Sequence, residues 1–314
     1  MKRVALMFPG QGSQAVGMGK AFYDAYPEVR ELYKQANTAL NKDITSLMFE
    51  GPKEALTETE NTQPALLLAS IAAHTLLVKE GVQPVMTVGH SLGEYSALVA
   101  AGSIPLETAL PLVATRGKLM EEAFPSGKGT MAAVLGLTEE VIKTALEKLP
   151  ANEAVDIANL NCPGQIVISG TKNGIEQAGS ILKESGAKRV LPLNVSGPFH
   201  SRLMKTANEE FATYLNNIQM HDASIPVYAN VTAAPETESK KMKSLLLKQL
   251  YSPVRFEDSI RNMIEAGADA FIEVGNGKVL SGLVKKIDRK IPTFAIQDPS
   301  SMNEFIAWYK GDES

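Results

Sequence analysis

Along this chain, short runs that are apolar at every position are separated by longer stretches in which charges recur every three or four residues. That combination predicts buried parallel strands joined by helices. Residues 4–8 are uninterruptedly apolar and stop at Pro9-Gly10, so they read as a buried first strand. Residues 85–88 read as a second such strand and 94–101 as the helix that follows it. Between them, residues 63–80 carry apolar side chains on every face, with Pro64 near the expected helix start and Gly81 beyond the end. The segment reads as a buried helix lying against the sheet. Residues 19–40 are charged and read as helical throughout, and 106–122 read as a further helix. The alternation indicates an α/β architecture with a mainly parallel sheet flanked by helices.

The pattern changes between residues 127 and 196. Strands are expected at 131–135, 155–159, 165–170 and 189–195, with a helix at 139–148 capped by Thr138 and another at 174–185 stopped by Gly186. Asn161-Cys162-Pro163-Gly164 supplies turn residues between the middle strands. The order βαββαβ is the ferredoxin-like motif. Two regions are therefore expected: a large α/β body formed by 1–126 and 197–314, and a small inserted ferredoxin-like subdomain, 127–196. Phe124-Pro125-Ser126-Gly127-Lys128-Gly129 reads as the linker into the insert and Ser196-Gly197-Pro198 as the way out. After it come a helix at 201–216, a strand at 225–230, helices at 240–250 and 256–266, a strand at 270–274 and a helix after Gly277.

Composition narrows the function classes. The 314 residues are 44% hydrophobic and 21% charged, enough for a large core under a solvated surface. With 31 basic against 35 acidic residues the net charge is -4, which gives no global attraction to nucleic acid or to an anionic membrane. Any acidic partner must meet a local basic patch. Cys162 is the one cysteine, so there is no intramolecular disulfide framework and no cysteine cluster for a metal. A cytoplasmic, metal-free protein is expected. The first apolar run is too short for a signal segment or a membrane span.

The chemistry concentrates at Gly89-His90-Ser91-Leu92-Gly93. A serine at a strand-to-helix elbow is pushed out of the sheet by a strained backbone, and flanking glycines allow close approach of neighbouring chain. At a helix N-terminus a developing oxyanion is stabilised. A serine hydroxyl needs a base, and there are four histidines. His74 lies in the apolar helix, His90 points away from its neighbour Ser91, and His221 sits among polar residues. His200, in a loop after the last strand of the insert, is the candidate base. Gly10-Gln11-Gly12-Ser13-Gln14 matches a loose dinucleotide fingerprint, but no second strand ending in an acid follows about 20 residues on. The loop is better read as presenting the Gln11 amide to an oxyanion, beside the amide of Leu92. Arg116 shares a helical stripe with Ala109, Val113 and Met120. An inward arginine fits a buried ion pair, a snorkelling stem or a clamp for a substrate carboxylate. No Asp or Glu stands out as a third triad member.

Taken in order, Gly10-Gln11-Gly12-Ser13-Gln14, Gly89-His90-Ser91-Leu92-Gly93-Glu94, Arg116, Gly197-Pro198-Phe199-His200 and Gln249-Leu250 resemble the malonyl-CoA:acyl-carrier-protein transacylases. The resemblance spans nearly the whole chain and implies a hydrolase-like body with an inserted ferredoxin-like subdomain. It implies Ser91 as nucleophile, His200 as general base, Gln11 and Leu92 as oxyanion donors, and Arg116 as partner of the malonyl carboxylate. It also implies that a main-chain carbonyl at Gln249 steadies the histidine in place of an acid. Gln63 and Asn159 match segments bordering the active-site gorge, and Phe199 matches the malonyl-selective form. Asn276 stands where relatives often carry proline, which implies a softer loop. No bound cofactor is implied, malonyl-CoA and CoA being substrate and product, and the partner is acyl carrier protein. A stand-alone acyltransferase serving a polyketide synthase and a serine thioesterase or hydrolase are the competing readings. Lys188-Arg189 and Lys285-Lys286 with Arg289-Lys290 are the basic clusters that an acidic carrier would meet.

Overall fold

The computed structural model describes residues 2–125 and 127–311; Met1, Ser126 of the expected linker, and 312–314 lie outside the described residues. Among the described residues ten strands form two sheets. They are β1 Val4–Phe8, β2 Met86–Gly89, β3 Gly129–Leu135, β4 Val155–Cys162, β5 Gln165–Thr171, β6 Arg189–Pro192, β7 Val227–Tyr228, β8 Pro235–Glu236, β9 Ala270–Val274 and β10 Thr293–Ile296.

The larger sheet has the order β10-β9-β1-β2-β7-β8. All its pairings are parallel except β7 with β8. β1 is buried at every residue, as its unbroken apolar run requires. From β1 the chain builds outward through β2 and β7, then returns to place β9 and β10 on the other side. The strand order therefore switches at β1, and a crevice opens beyond the carboxyl ends of such strands. Phe8 pairs with Gly89, so the Gly10 loop and the Ser91 elbow leave the sheet side by side.

Several expected boundaries move for identifiable reasons. The long buried helix runs Thr59–Lys79 and contains Pro64, rather than starting at 63. Proline there forfeits only the bond to the carbonyl of Glu60, and nearly all of that turn is packed in the core. The segment expected to be helical throughout breaks into Lys20–Ala25 and Pro27–Leu40, because Tyr26 before Pro27 is extended. The strand expected at 225–230 shrinks to two residues, since Ala229 already hydrogen-bonds within a turn to Ala234. The helix expected from 201 begins as a tight 3-10 turn, Arg202–Met204, before Lys205–Asn217. β10 and the final helix Pro299–Lys310 were not anticipated, although Asp298 and Ser301 form a capping box there.

The second sheet, drawn wholly from residues 129–192, has the order β4-β5-β3-β6 with every pairing antiparallel. That is the ferredoxin-like order, with helices Glu139–Leu146 and Lys172–Glu184. Their N-termini are capped by Thr138 and Thr171. The last strand ends at Pro192 rather than 195. β4 is bonded to the body: Leu160 N–H donates to the Val254 carbonyl at 2.9 Å and Val254 N–H to that of Ala158 at 2.8 Å. Asn159 is thereby fixed at the seam. No helix among the described residues is long and apolar enough to cross a membrane.

Candidate active site

At the end of β2 the chain turns through His90-Ser91-Leu92 into the helix Gly93–Ala100. Ser91 has φ 51°, a left-handed conformation that costs a non-glycine residue of order 1–3 kcal/mol. Its peptide groups are clamped: the N–H donates to Asn230 Oδ1 at 2.8 Å, and the carbonyl accepts from Gln249 Nε2 at 3.0 Å. The flanking chain is pressed together. A Cβ on Gly93 would overlap the carbonyl oxygen of Phe8, and one on Gly10 would overlap that of His90.

The Ser91 hydroxyl lies 2.7 Å from His200 Nε2. His200 Nδ1 lies 2.8 Å from the backbone carbonyl of Gln249. A carbonyl only accepts, so the proton sits on Nδ1, and Nε2 is left as the acceptor facing Ser91. Burial, reinforced by the charge of Arg116, depresses the histidine pKa to about 3, so it is neutral at pH 7. The other histidines stand apart. His90 turns to Asn161 Oδ1 at 2.8 Å and packs on Phe256, His74 meets the edge of Phe8, and His221 is exposed.

Arg116, on the helix Leu106–Glu122, is 1% exposed. Its Nη1 donates to Gln63 Oε1 at 2.8 Å, and its Nη2 donates to Gln249 Oε1 at 2.8 Å and to the Ser91 hydroxyl at 3.2 Å. The guanidinium also lies 5.3 Å from the Tyr95 ring centre. It neither snorkels to water nor hydrogen-bonds a carboxylate: its partners are two amide oxygens and a hydroxyl. A buried guanidinium so held can accept a carboxylate ligand beside the serine.

These groups border a cavity of about 300 Å³ whose walls include Gln11, Leu92, Phe199 and Asn159. Among the described residues, the backbone N–H groups of Gln11 and Leu92 donate to no acceptor in the chain. Gln11 is anchored by its side chain, which reaches Thr59 Oγ1 at 3.3 Å. The Gly-rich loop is also tied from outside, since Asn276 Nδ2 donates to the Ser13 carbonyl at 2.6 Å. That bond ties the loop around Asn276 to the Gly-rich loop. No group of three or more His, Cys, Asp or Glu suited to a metal ion occurs among the described residues.

An intact serine–histidine pair facing a carboxylate-sized cation is chemistry for an acyl group. The sequence model of the acyl transferase domain matches residues 6–294. The chain belongs to the acyl transferase family. Over 311 residues it is 50% identical to the malonyl CoA-acyl carrier protein transacylase of Bacillus subtilis, covering 99% of this chain and 98% of that one. A Staphylococcus aureus protein of the same name is 46% identical over 313 residues, covering 99% of this chain and 100% of its own. Among solved structures, the acyl carrier protein S-malonyltransferase of Vibrio cholerae superposes with a TM-score of 0.95 at 44% identity, over 97% of this chain and 100% of that one. A malonyl-transacylase in complex with a type II PKS acyl-carrier protein matches with a TM-score of 0.95 at 40% identity, over 97% and 99%.

Two residues of this acyl transferase site were not singled out from sequence. Asn230 holds the Ser91 amide and, through Nδ2, the Gly89 carbonyl at 2.6 Å. Glu94 is 1% exposed in the first turn after the elbow. Its Oε2 accepts from Gln249 Nε2 at 2.7 Å and from the Asn230 N–H at 3.2 Å, and burial raises its pKa to about 7. The available signals were its place at the end of the Gly89–Glu94 motif and as the one charged residue of the helix GEYSALVA.

Proposed function

We propose that this acyl transferase moves the malonyl group of malonyl-CoA to the phosphopantetheine thiol of acyl carrier protein, supplying the elongation unit of fatty acid synthesis in the cytoplasm. The observation that carries the reading is the Ser91 hydroxyl held between a base, His200 Nε2, and a buried cation, Arg116. The near-identity of fold with malonyl-transferring relatives, over almost all of both chains, supports it.

In this mechanism Arg116 pairs with the free carboxylate of the malonyl group and so fixes its thioester carbonyl against Ser91. The Ser91 oxygen attacks that carbonyl carbon while its proton passes to His200 Nε2. The Gln11 and Leu92 amides hold the resulting oxyanion, and losing one such donor costs about 10²–10³ in rate. The imidazolium, steadied by the Gln249 carbonyl, returns its proton to the departing CoA sulfur. A malonyl–serine ester remains. The carrier thiol then enters, gives its proton to His200 and attacks the ester; collapse restores Ser91 with that proton. His200 thus handles each proton, and no resident cofactor is required. Phe199 crowds the α-carbon of the acyl group, with selectivity against one extra methyl worth about 1–3 kcal/mol. Gln63 and Gln249 keep the guanidinium in place, and Asn159 closes the cavity at the seam with the insert. Residues 127–196 form, in this reading, an inserted domain and 1–126 with 197–314 the catalytic body.

Intact-mass measurement after mixing with malonyl-CoA tests the assignment. One malonyl adduct is expected on the unaltered protein and none on Ser91→Ala. An adduct that persists in Ser91→Ala would refute the nucleophile, and undiminished preference for malonyl over acetyl groups in Arg116→Ala would refute the clamp.

A further inference from the structure

The transfer mechanism leaves one buried acid without a task. Glu94 is shielded from water, and its carboxylate has only two donors, Gln249 Nε2 at 2.7 Å and the Asn230 N–H at 3.2 Å, both on Oε2. Oε1 has no hydrogen-bond partner among the described residues. A carboxylate so poorly compensated is costly to bury. Arg116 is as deeply buried, and its Nε is likewise unpartnered. Between the two charges lies one side chain. Gln249 Oε1 takes the guanidinium at 2.8 Å while its Nε2 gives to the carboxylate. With oxygen toward the cation and nitrogen toward the anion, the amide is satisfied at both ends. Rotated by half a turn it would oppose both charges. The same residue offers its backbone carbonyl to His200 and its Nε2 to the Ser91 carbonyl. A group that fixes this amide therefore bears on the base, the nucleophile and the carboxylate anchor together.

We propose that Glu94 is a positioning residue for acyl transfer: its carboxylate orients the Gln249 amide and balances the charge of Arg116 until the carboxylate of the acyl group becomes the guanidinium's partner. This rests on the reading of Arg116 as the anchor of the malonyl carboxylate. In the empty site, above pH 7 where Glu94 is ionised, the two buried charges offset one another across one amide. Replacing Glu94 by glutamine keeps an oxygen for Gln249 Nε2 and the Asn230 N–H but leaves Arg116 without a counter-charge. The bare cation then holds the malonyl carboxylate more tightly before reaction. It also opposes the positive charge that His200 must take up during acylation.

Single-turnover acylation of the full chain by malonyl-CoA, quenched and read by intact mass, separates these effects. For Glu94→Gln the half-saturating malonyl-CoA concentration is expected to fall about fivefold while the maximal acylation rate falls about tenfold. A residue that merely supports the fold would raise the half-saturating concentration or leave it alone. Should Glu94→Gln fail to fold, Glu94→Asp, which draws the charge back from the amide, is expected to slow acylation without raising that concentration. A half-saturating concentration that does not fall in Glu94→Gln, or that rises in Glu94→Asp, would overturn the proposal. Absence of a malonyl adduct on the unaltered protein would instead overturn the transfer reading itself, and the positioning role with it.

Discussion

At Ser91 the molecule accepts a strained backbone to aim one hydroxyl. The left-handed φ is held by Asn230 on the amide side and Gln249 on the carbonyl side, and neither clamp was visible as such in the sequence. Ser91, His200 and Arg116, which the fold brings together, were legible because each is a chemically unusual residue in a patterned setting: a serine between glycines, a histidine after a turn, a cation on an apolar stripe. Glu94 and Asn230 were not, because their importance lies in what they meet across chain separations of 136 residues and more. Truncating Arg116 to alanine removes the proposed anchor of the malonyl carboxylate. Malonyl acylation is expected to fall by about a hundredfold or more, with little loss toward acetyl-CoA; paired single-turnover rates for the two thioesters measure this. Burial also makes stability depend on pH. His200, His74 and His90 have folded-state pKa values below their ordinary 6.5, at about 3, about 4 and lowered, respectively. Each contributes stability that is present above pH 6.5 and is lost as the pH falls, because the unfolded chain takes up the proton first. Glu94, raised from 4.5 to about 7, works the other way: its contribution is full below pH 4.5 and is lost as the pH rises through 7. Burial raises the Glu273 carboxyl as well, and with three histidines against these two acids Tm is expected to drop between pH 6.5 and 4.5, and His200→Gln should make the drop shallower; thermal melts across that range test it.

The elements that carry the site are the ones the sequence marked most plainly. β1 is a short unbroken apolar run, β2 is a buried one interrupted by Thr87, and the helix Leu106–Glu122 has the boundaries its periodicity predicts. Propensity misled where tertiary packing overrode it. Pro64 is tolerated inside a helix because the surrounding core holds the turn, and the 225–230 run bends after two paired residues so that Asn230 can face the elbow. β10 and the last helix were missed because a four-residue strand of partly buried residues gives little pattern of its own. Close packing of the elbow against β1 leads to a sharp expectation. Gly93→Ala sets a methyl against the Phe8 carbonyl, which is backbone and cannot step aside. Destabilisation of about 3 kcal/mol is expected from chemical denaturation, together with loss of acylation.

On the scale of the whole molecule, two sheets of different pairing share one cavity. The parallel sheet supplies the elbow, the Gln11 loop and, through its flanking helices, Arg116 and Gln249. The antiparallel insert supplies Asn159 and is sewn to the body through Val254. The alternation of βα units gave way to βαββαβ within one chain, so the presence of two differently paired sheets was readable before any contact was known. Surface recognition was not readable in the same way. Lys188, Arg189, Lys285 and Lys286 are all exposed, as any solvated basic residue would be, and Lys286 reaches Gln165 Oε1 at 3.1 Å. Charge reversal at Lys285 and Lys286 is expected to slow transfer to an acidic carrier about tenfold at low salt, less at high salt, and to leave acylation by malonyl-CoA unchanged. Equal loss in both half-reactions would remove that surface from the account. The claim on which everything else depends is that the chain holds an acyl group for a thiol and protects it from water. Its most direct test is to isolate the malonylated protein free of CoA and follow discharge of the Ser91 ester with and without phosphopantetheinylated acyl carrier protein. The ester is expected to persist alone and to pass rapidly to the carrier. Release of free malonate at the same rate whether or not the carrier is present would contradict it.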